Sequence, residues 1–189
     1  MLHRDEPGRT VHAEGAVGRF PHAAAVRRRF GFGEVKSGSG LLGPMAATRT
    51  AHAVWEHDLL HGHGTVKGTS GALGELAVSW SARTEASGGR TSPEELLAAA
   101  HASCFSMALA AGLARAQKPP ERLRVSATAT FDKVGDAWKV TTMVLDVKGT
   151  VPSLTAAEFE TAAKAAGEGC PISKALKGNV EIVVHATLG

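Results

Sequence analysis

The sequence contains only two cysteines in 189 residues, Cys104 and Cys170. A secreted scaffold stabilised by disulfides needs several bridges, so this composition excludes that class of protein. If the two thiols react at all, their chemistry belongs to a reducing compartment, where a disulfide is transient. We therefore expect a cytoplasmic protein.

The sequence also lacks an uninterrupted run of about 18 apolar residues, the length that a membrane-spanning helix requires. Residues 1–40 lack the continuous apolar stretch of a secretory signal. We therefore expect neither a membrane protein nor an exported one. Hydrophobic residues still make up 43% of the chain, which is enough to build the core of one domain.

An excess of basic residues is confined to the start of the chain. Residues 1–44 hold seven Lys or Arg against four Asp or Glu, whereas residues 45–189 hold fourteen of each. The net charge of +3 therefore belongs to the first segment and gives no reason to infer nucleic-acid binding. Because residues 1–44 also lack any hydrophobic periodicity, we predict a disordered basic tail or a non-native extension, followed by one domain over 45–189.

Three short segments with alternating polarity open the domain, at 53–56, 64–67 and 76–83. Glycine-rich stretches separate them, a pattern typical of an antiparallel meander. Side chains alternate along a strand, so Arg83 is predicted to end a small polar face of the third strand.

A long helix is predicted over 93–117. Ser92 as N-cap, Pro93 at the first helical position and Glu95 three residues after the cap form a capping-box pattern, and Pro119 and Pro120 block extension at the far end. Residues 96–113 are apolar nearly all round the helix, which predicts burial on every side and a helix shared between subunits.

The remainder predicts strands at 123–133 and 137–148, helices at 155–168 and 172–176, and a final strand at 180–188. In the second of these strands we expect one face to carry Trp138, Val140, Thr142 and Val144. The element order indicates an α+β fold without parallel βαβ repeats.

The two cysteines suggest a minimal peroxidase. A thiolate attacks an electrophile, and a second thiol captures the oxidised sulfur as a disulfide before further oxidation. The alternative is that Cys104 is a small core residue and Cys170 a helix-end residue. Local context favours a thiolate at Cys170, which precedes a helix starting at Pro171, and a neutral thiol at the buried Cys104.

The stretch Ser-Pro-Glu-Glu-Leu-Leu-Ala-Ala-Ala-His-Ala-Ser-Cys-Phe-Ser-Met-Ala from Ser92, with the later Gly-Cys-Pro-Ile-Ser from Gly169, resembles the OsmC/Ohr family of thiol peroxidases. The OsmC branch is the closer match, and the similarity extends over nearly all of 45–189. The resemblance implies antiparallel sheets around a long buried central helix, in an intertwined homodimer with active sites at the interface. It also implies reduction of organic hydroperoxides and, less selectively, of hydrogen peroxide.

By position in this resemblance, Cys104 matches the peroxidatic cysteine and Cys170 the resolving one. Glu94 matches a glutamate that begins the cysteine helix, and Arg83 the arginine that activates the thiolate. Arg90 is a rival, but a strand end is expected to fix a guanidinium better than the loop that holds Arg90. The resemblance implies no metal, haem or flavin, and an external thiol or dithiol reductant, such as a lipoyl-type dithiol. The implied partners are a second copy of the chain and a small hydroperoxide, with no nucleic acid and no membrane.

The position of Glu94 carries a geometric consequence. It lies ten residues before Cys104, which is about 15 Å along a helix axis. If Glu94 orients the arginine at Cys104, it must come from the helix of a partner subunit.

For several other side chains a purely structural role is a simpler interpretation than a functional one. His101 is expected to be a satisfied helix histidine rather than a base, and His57, His61 and His63 lack a firmly placed fourth metal ligand. Four apolar side chains are available to line a pocket, although each is more often plain core: Trp80, Phe105, Met107 and Trp138. An alternative function for the whole chain is a redox-responsive module that binds an apolar ligand and uses the same disulfide.

Overall fold

The structure is a computed structural model that describes residues 47–189, and the tail predicted for 1–44 lies outside these residues. The described chain forms two three-stranded sheets and four helices. Their order is β1 (Ala51–Glu56), β2 (His63–Gly68), β3 (Leu76–Ser79), α1 (Trp80–Thr84), α2 (Pro93–Arg115), β4 (Arg122–Val134), β5 (Ala137–Thr150), α3 (Ala156–Gly169), α4 (Pro171–Leu176) and β6 (Glu181–Leu188).

The first sheet is the predicted meander. Strands β1, β2 and β3 are adjacent in that order, and both pairs are antiparallel. Large apolar side chains of this sheet and its loops are exposed: Val54, Trp55, Leu59, Leu60 and Leu73. The sheet therefore presents apolar surface that the described chain does not cover.

The third strand is shorter than the predicted 76–83. It ends at Ser79, whose side chain accepts a hydrogen bond of 3.2 Å from the backbone N–H of Ala82 and caps the short helix α1. Arg83 therefore lies on a helical turn, and the prediction that it ends a strand is wrong. Ser79 fits a polar position of an alternating strand as well as it fits a helix N-cap, so the alternation did not reveal where the strand ends.

Helix α2 begins and ends close to the predicted limits. Ser92 accepts a hydrogen bond of 3.1 Å from the N–H of Glu95, as an N-cap does. The Glu95 carboxylate, however, accepts a bond of 2.6 Å from the Thr91 hydroxyl, so the predicted capping box is only half formed. The helix ends at Arg115, and Gln117 then takes a φ of 58°.

The burial of α2 differs from the prediction, because within this chain only one face is covered. The buried residues follow a helical spacing: Glu94, Ala98, His101, Phe105, Leu109 and Leu113. On the other side of the helix Met107 is 66% exposed. An 18-residue window of α2 has the length and mean hydropathy, 1.7, of a membrane-spanning helix, although the core helix of a soluble protein has the same composition.

The second sheet starts with the predicted hairpin. Its two-residue turn places Gly135 at a φ of 62°, which glycine adopts without strain. The register shifts between Thr130 and Phe131, so Thr130 pairs with Thr142 while Phe131 pairs with Val140. The extra residue, Thr141, reverses which side chains face the core.

Because of this bulge, the predicted face of β5 is wrong from Thr142 onward. Trp138 and Val140 lie opposite Lys133 and Phe131, but beyond the bulge the core-facing residues are Met143, Leu145 and Val147. Thr142 and Val144 therefore do not share the face of Trp138. Period-two alternation alone cannot reveal a residue inserted in mid-strand.

The strand β6 pairs with β5 in parallel, through the crossover formed by α3 and α4. The expected antiparallel sheets do not include this parallel pairing, which makes the second sheet mixed. Thr155 and Glu158 form a complete capping box at the start of α3. The core lies between α2, α3 and the second sheet, and its fully buried side chains include Phe105, Leu109, Leu145 and Phe159.

Candidate active site

The two cysteines meet in the fold although they are distant in sequence. The sulfur atoms of Cys104 and Cys170 lie 3.3 Å apart, and both thiols are free. Cys104 lies on α2 and is half-buried, whereas Cys170, between α3 and α4, has no exposed surface. A movement of little more than 1 Å would bring the sulfurs to the length of a disulfide bond, about 2.05 Å.

The surroundings of Cys104 favour its neutral thiol. Burial raises the pKa of Cys104, and the neighbouring Cys170 raises it further, while the backbone N–H of Ile172 acts in the opposite direction by hydrogen bonding to the sulfur. Within one chain, the nucleophile expected from the resemblance is therefore not activated.

The surroundings of Cys170 favour its thiolate. Burial acts to raise the pKa of Cys170, but hydrogen bonds outweigh it and lower the pKa below its ordinary value. These bonds come from the backbone N–H of Ser173, the Cys104 thiol, the Ser173 hydroxyl and the N–H of Ile172. The direction agrees with the expectation from a cysteine that directly precedes a helix.

Arg83 and Glu94 form the second half of the candidate site. The Arg83 Nε donates to one carboxylate oxygen of Glu94 at 3.1 Å, and a terminal guanidinium nitrogen donates to the other at 2.6 Å. A bond of 2.9 Å from the N–H of Thr91 to the carbonyl of Ala77 ties the start of α2 to β3, next to α1. Only 9% of the Glu94 side chain and 28% of the Arg83 side chain is exposed, so this fork-like pair is a rigid feature.

An aromatic cluster lies against the Arg83 guanidinium. Its central carbon is 4.3 Å from the centre of the Phe131 ring and 5.5 Å from that of Trp80, distances typical of cation–π contacts. Trp138 stacks on Phe131 with centroids 5.0 Å apart and meets Trp80 edge-on. A cavity of about 390 Å³ beside this cluster is lined by residues that include Arg83, Arg90, Glu94 and Phe131.

The structure brings together only part of the predicted apolar pocket. Trp80 and Trp138 contact each other, but Phe105 is fully buried in the core and Met107 is exposed on α2. Phe131 was not predicted for this cluster, and the bulge that aligns it with Trp138 and Val140 explains the omission.

The four predicted site residues form two pairs that do not meet within one chain. Glu94 and Cys104 are separated by about 15 Å along α2, and Arg83 is bound to Glu94. Arg90 lines the same cavity as Arg83, but its side chain makes no hydrogen bond or ion pair with the residues of 47–189. Of the two arginines, Arg83 is the one held in a fixed position.

His101 is buried, as expected of a core histidine, but only one of its nitrogens has a partner. Its Nε2 lies 2.8 Å from the Ser173 hydroxyl, while Nδ1 is buried without a hydrogen-bond partner in the described part of the chain. Burial lowers the pKa of His101, which favours the neutral ring. Sequence reasoning missed Ser173, although it lies three residues after Cys170 in a helix whose start was predicted.

Two of the histidines in and beside the first sheet lie against carboxylates. His61 lies 3.1 Å from Asp58, and His63 lies 3.3 Å from Glu56. Between residues 47 and 189, no three His, Cys, Asp or Glu side chains cluster as a metal site would require.

The fold and the paired thiols together define an α+β protein with two adjacent thiols, one half-buried and one fully buried. The family model described as OsmC-like protein matches residues 86–185. The chain is 36% identical over 138 residues to the peroxiredoxin OsmC of Escherichia coli (strain K12), a match that covers 73% of this chain and 96% of that protein. The chain belongs to the OsmC-like family.

Relatives from the Ohr branch are also similar. The organic hydroperoxide resistance protein OhrA of Bacillus subtilis is 31% identical over 113 residues, covering 59% of this chain and 77% of that protein. Among solved structures, that of OhrB from Bacillus subtilis has a TM-score of 0.59 at 24% identity and covers 73% of this chain and 98% of its own. This structural similarity supports the OsmC/Ohr fold.

Proposed function

We propose that this protein is a cysteine-based peroxidase that reduces organic hydroperoxides and, less selectively, hydrogen peroxide. The observation that carries the proposal is the 3.3 Å separation of the Cys104 and Cys170 sulfurs. The names of the relatives, peroxiredoxin and organic hydroperoxide resistance protein, point to the same chemistry.

In the first step the Cys104 thiolate attacks one oxygen of the hydroperoxide. A sulfur–oxygen bond forms, the O–O bond breaks and the alcohol leaves after taking a proton, so Cys104 becomes a sulfenic acid. In the second step the Cys170 thiolate attacks that sulfur. The disulfide forms, the S–OH bond breaks and hydroxide leaves as water after protonation. An external dithiol, for example of the lipoyl type, then reduces the disulfide and is itself oxidised.

A second copy of the chain is part of the proposal, because a reactive Cys104 needs a positive charge and, within residues 47–189, no Lys or Arg is among the groups that shift the pKa of Cys104. A guanidinium is always charged and its fork can hold a sulfur and a peroxide oxygen together. Since Arg83 is bound to Glu94, which lies about 15 Å from Cys104 along α2, we assign this role to Arg83 of a partner, held there by Glu94 of the same partner. The exposed side of α2 and the apolar surface of the first sheet supply area for such a homodimer.

The aromatic cluster supports an apolar substrate. Trp80, Phe131 and Trp138 lie beside Arg83, so an organic group would contact the rings while its peroxide approached the guanidinium. We place the reaction in the cytoplasm, where both thiols return to the reduced form.

The test is consumption of cumene hydroperoxide and hydrogen peroxide by the purified protein with excess dithiol. We expect turnover by the wild type, none by Cys104→Ser, and stalling or over-oxidation of Cys170→Ser. Disulfide formation without turnover would contradict the enzymatic proposal and favour a redox-responsive binding module.

A further inference from the structure

The buried His101 has no role in the chemistry described so far. It lies on α2 three residues before Cys104 and has no exposed surface. Its Nδ1 has no partner within residues 47–189, and an unmet buried polar atom costs stability. Packing alone therefore gives no reason for an imidazole at this position, and its one hydrogen bond within residues 47–189 is with Ser173, which lies three residues after Cys170.

The pattern of partners selects one tautomer. A buried N–H without a partner is rarer in native proteins than a buried acceptor without one, so we assign the hydrogen to Nε2 and leave Nδ1 bare. Nε2–H then donates to the Ser173 oxygen at 2.8 Å. With its oxygen accepting from the imidazole, the Ser173 hydroxyl keeps its own hydrogen for the sulfur of Cys170, the N-cap of the same short helix, and in that direction it lowers the pKa of Cys170.

We propose that His101 and Ser173 are positioning residues for the resolving step, in which a hydrogen-bond chain from imidazole to hydroxyl to sulfur stabilises the Cys170 thiolate. That thiolate attacks the Cys104 sulfenic acid, forming the S–S bond and releasing hydroxide, which is protonated to water. The role in resolution rests on the proposed peroxidase function, whereas the stabilised thiolate is a property of the reduced chain.

The hydrogen-bond chain from His101 through Ser173 acts on Cys170 and not on Cys104. Ser173, through its backbone N–H and its hydroxyl, lowers the pKa of Cys170, whereas the groups that act on the pKa of Cys104 besides burial are the Ile172 N–H and Cys170 itself. Besides burial, the groups that act on the pKa of Cys170 are Cys104, Ser173 and the Ile172 N–H. His101 acts on it indirectly, through its hydrogen bond with Ser173. Loss of the hydroxyl should therefore weaken resolution and leave the first oxidation nearly intact.

The first test titrates Cys170 alone, in a Cys104→Ser background. The chain contains no tyrosine, so the ultraviolet absorbance of the single thiolate is not obscured by tyrosinate. Because a hydrogen bond to a charged group is worth more than one to a neutral group, Ser173→Ala should raise the titration midpoint by about one pH unit. His101→Leu should raise it in the same direction, and His101→Gln, which keeps an N–H donor, should recover part of the shift.

A matched control is Ser106→Ala, which removes a part-buried hydroxyl on α2 that donates only to the backbone carbonyl of Ala102. Its midpoint should equal that of the background. A Ser173→Ala protein that is folded by circular dichroism and titrates at the background midpoint would overturn the proposal. Ser173→Thr keeps the hydroxyl and should titrate near the background.

The second test follows a single turnover with both cysteines present. After mixing with cumene hydroperoxide, sulfenic acid and disulfide are quantified over time by rapid quenching and mass spectrometry. At a pH below the titration midpoints of both proteins, Ser173→Ala should slow disulfide formation by up to about tenfold, the change in thiolate population for a midpoint raised by one pH unit, while oxidation of Cys104 changes little. An unchanged rate of disulfide formation would overturn the role in resolution. If no sulfenic acid formed in the wild type, the peroxidase proposal would fail instead. The titration would still decide whether the hydrogen bonds of His101 and Ser173 stabilise the Cys170 thiolate.

Discussion

The Arg83–Glu94 pair gives the sharpest test of how the site is held, through the substitution Glu94→Gln. Glutamine keeps the size of the side chain but removes its charge and one of the two acceptor oxygens that Arg83 now binds at 3.1 and 2.6 Å. The guanidinium would be left with one neutral hydrogen bond and the contacts with Phe131 and Trp80.

The size of the effect follows from the burial of the pair. Removing one partner of a fully buried ion pair costs about 3–5 kcal/mol, and an exposed pair is worth about 0–1 kcal/mol. With 9% of Glu94 and 28% of Arg83 exposed, we expect about 2 kcal/mol of lost stability. For a domain of this size that is a fall in Tm of roughly 4–8 °C.

Two measurements check this prediction. Thermal unfolding gives the stability, and stopped-flow mixing with cumene hydroperoxide, below the unfolding range of both proteins, gives the rate of Cys104 oxidation. We expect that rate to fall about tenfold or more, since a mobile guanidinium stabilises a thiolate poorly. The control is Glu95→Gln at the exposed neighbouring position, which should change neither value appreciably. Wild-type Tm and wild-type rate in Glu94→Gln would refute the reasoning.

Three further predictions concern packing, pH and assembly. Gly149→Ala would place a Cβ 2.3 Å from Cζ of the buried Phe159 ring and should cost about 1–3 kcal/mol of stability in a denaturation experiment, whereas Gly74→Ala, with nothing within 4 Å, should be neutral. Burial lowers the pKa of His101, so this side chain binds a proton more readily in the unfolded chain than in the folded one. The free energy of unfolding should therefore decrease as pH falls below 6.5, the ordinary pKa of histidine. His101→Gln should flatten that pH dependence, and an unchanged slope would refute the prediction. Inactive Arg83→Ala and inactive Cys104→Ser chains, refolded together, should recover about a quarter of wild-type activity, because half of the dimers are mixed and each holds one intact site; no recovery would exclude a site shared in this way.

Local signals in the sequence account for much of the fold. The capping residue Ser92, the glycine turn between β4 and β5 and the proline after Cys170 each fix an element boundary through backbone chemistry that involves only near neighbours. The element order and the meander of the first sheet followed from these signals and from hydrophobic periodicity.

Features that depend on tertiary contacts escaped prediction. The bulge at Thr141, the parallel pairing of β6 and the helical turn that carries Arg83 leave no distinctive local pattern. The pairing of Arg83 with Glu94 within one chain also depends on how the loop before α2 returns to β3. The sequence singled out Cys104 but not Ser173, because only the packing of α2 against α4 places Ser173 beside His101.

The most direct test of the central claim is the intact mass of the protein after one equivalent of cumene hydroperoxide, followed by peptide mapping without reduction. We expect a monomer-mass product lighter by the two thiol hydrogens, with Cys104 and Cys170 joined in one peptide pair. Thiols that remain reduced, or a Cys104 that advances to sulfinic acid while Cys170 stays free, would contradict the claim that the two cysteines form one catalytic pair.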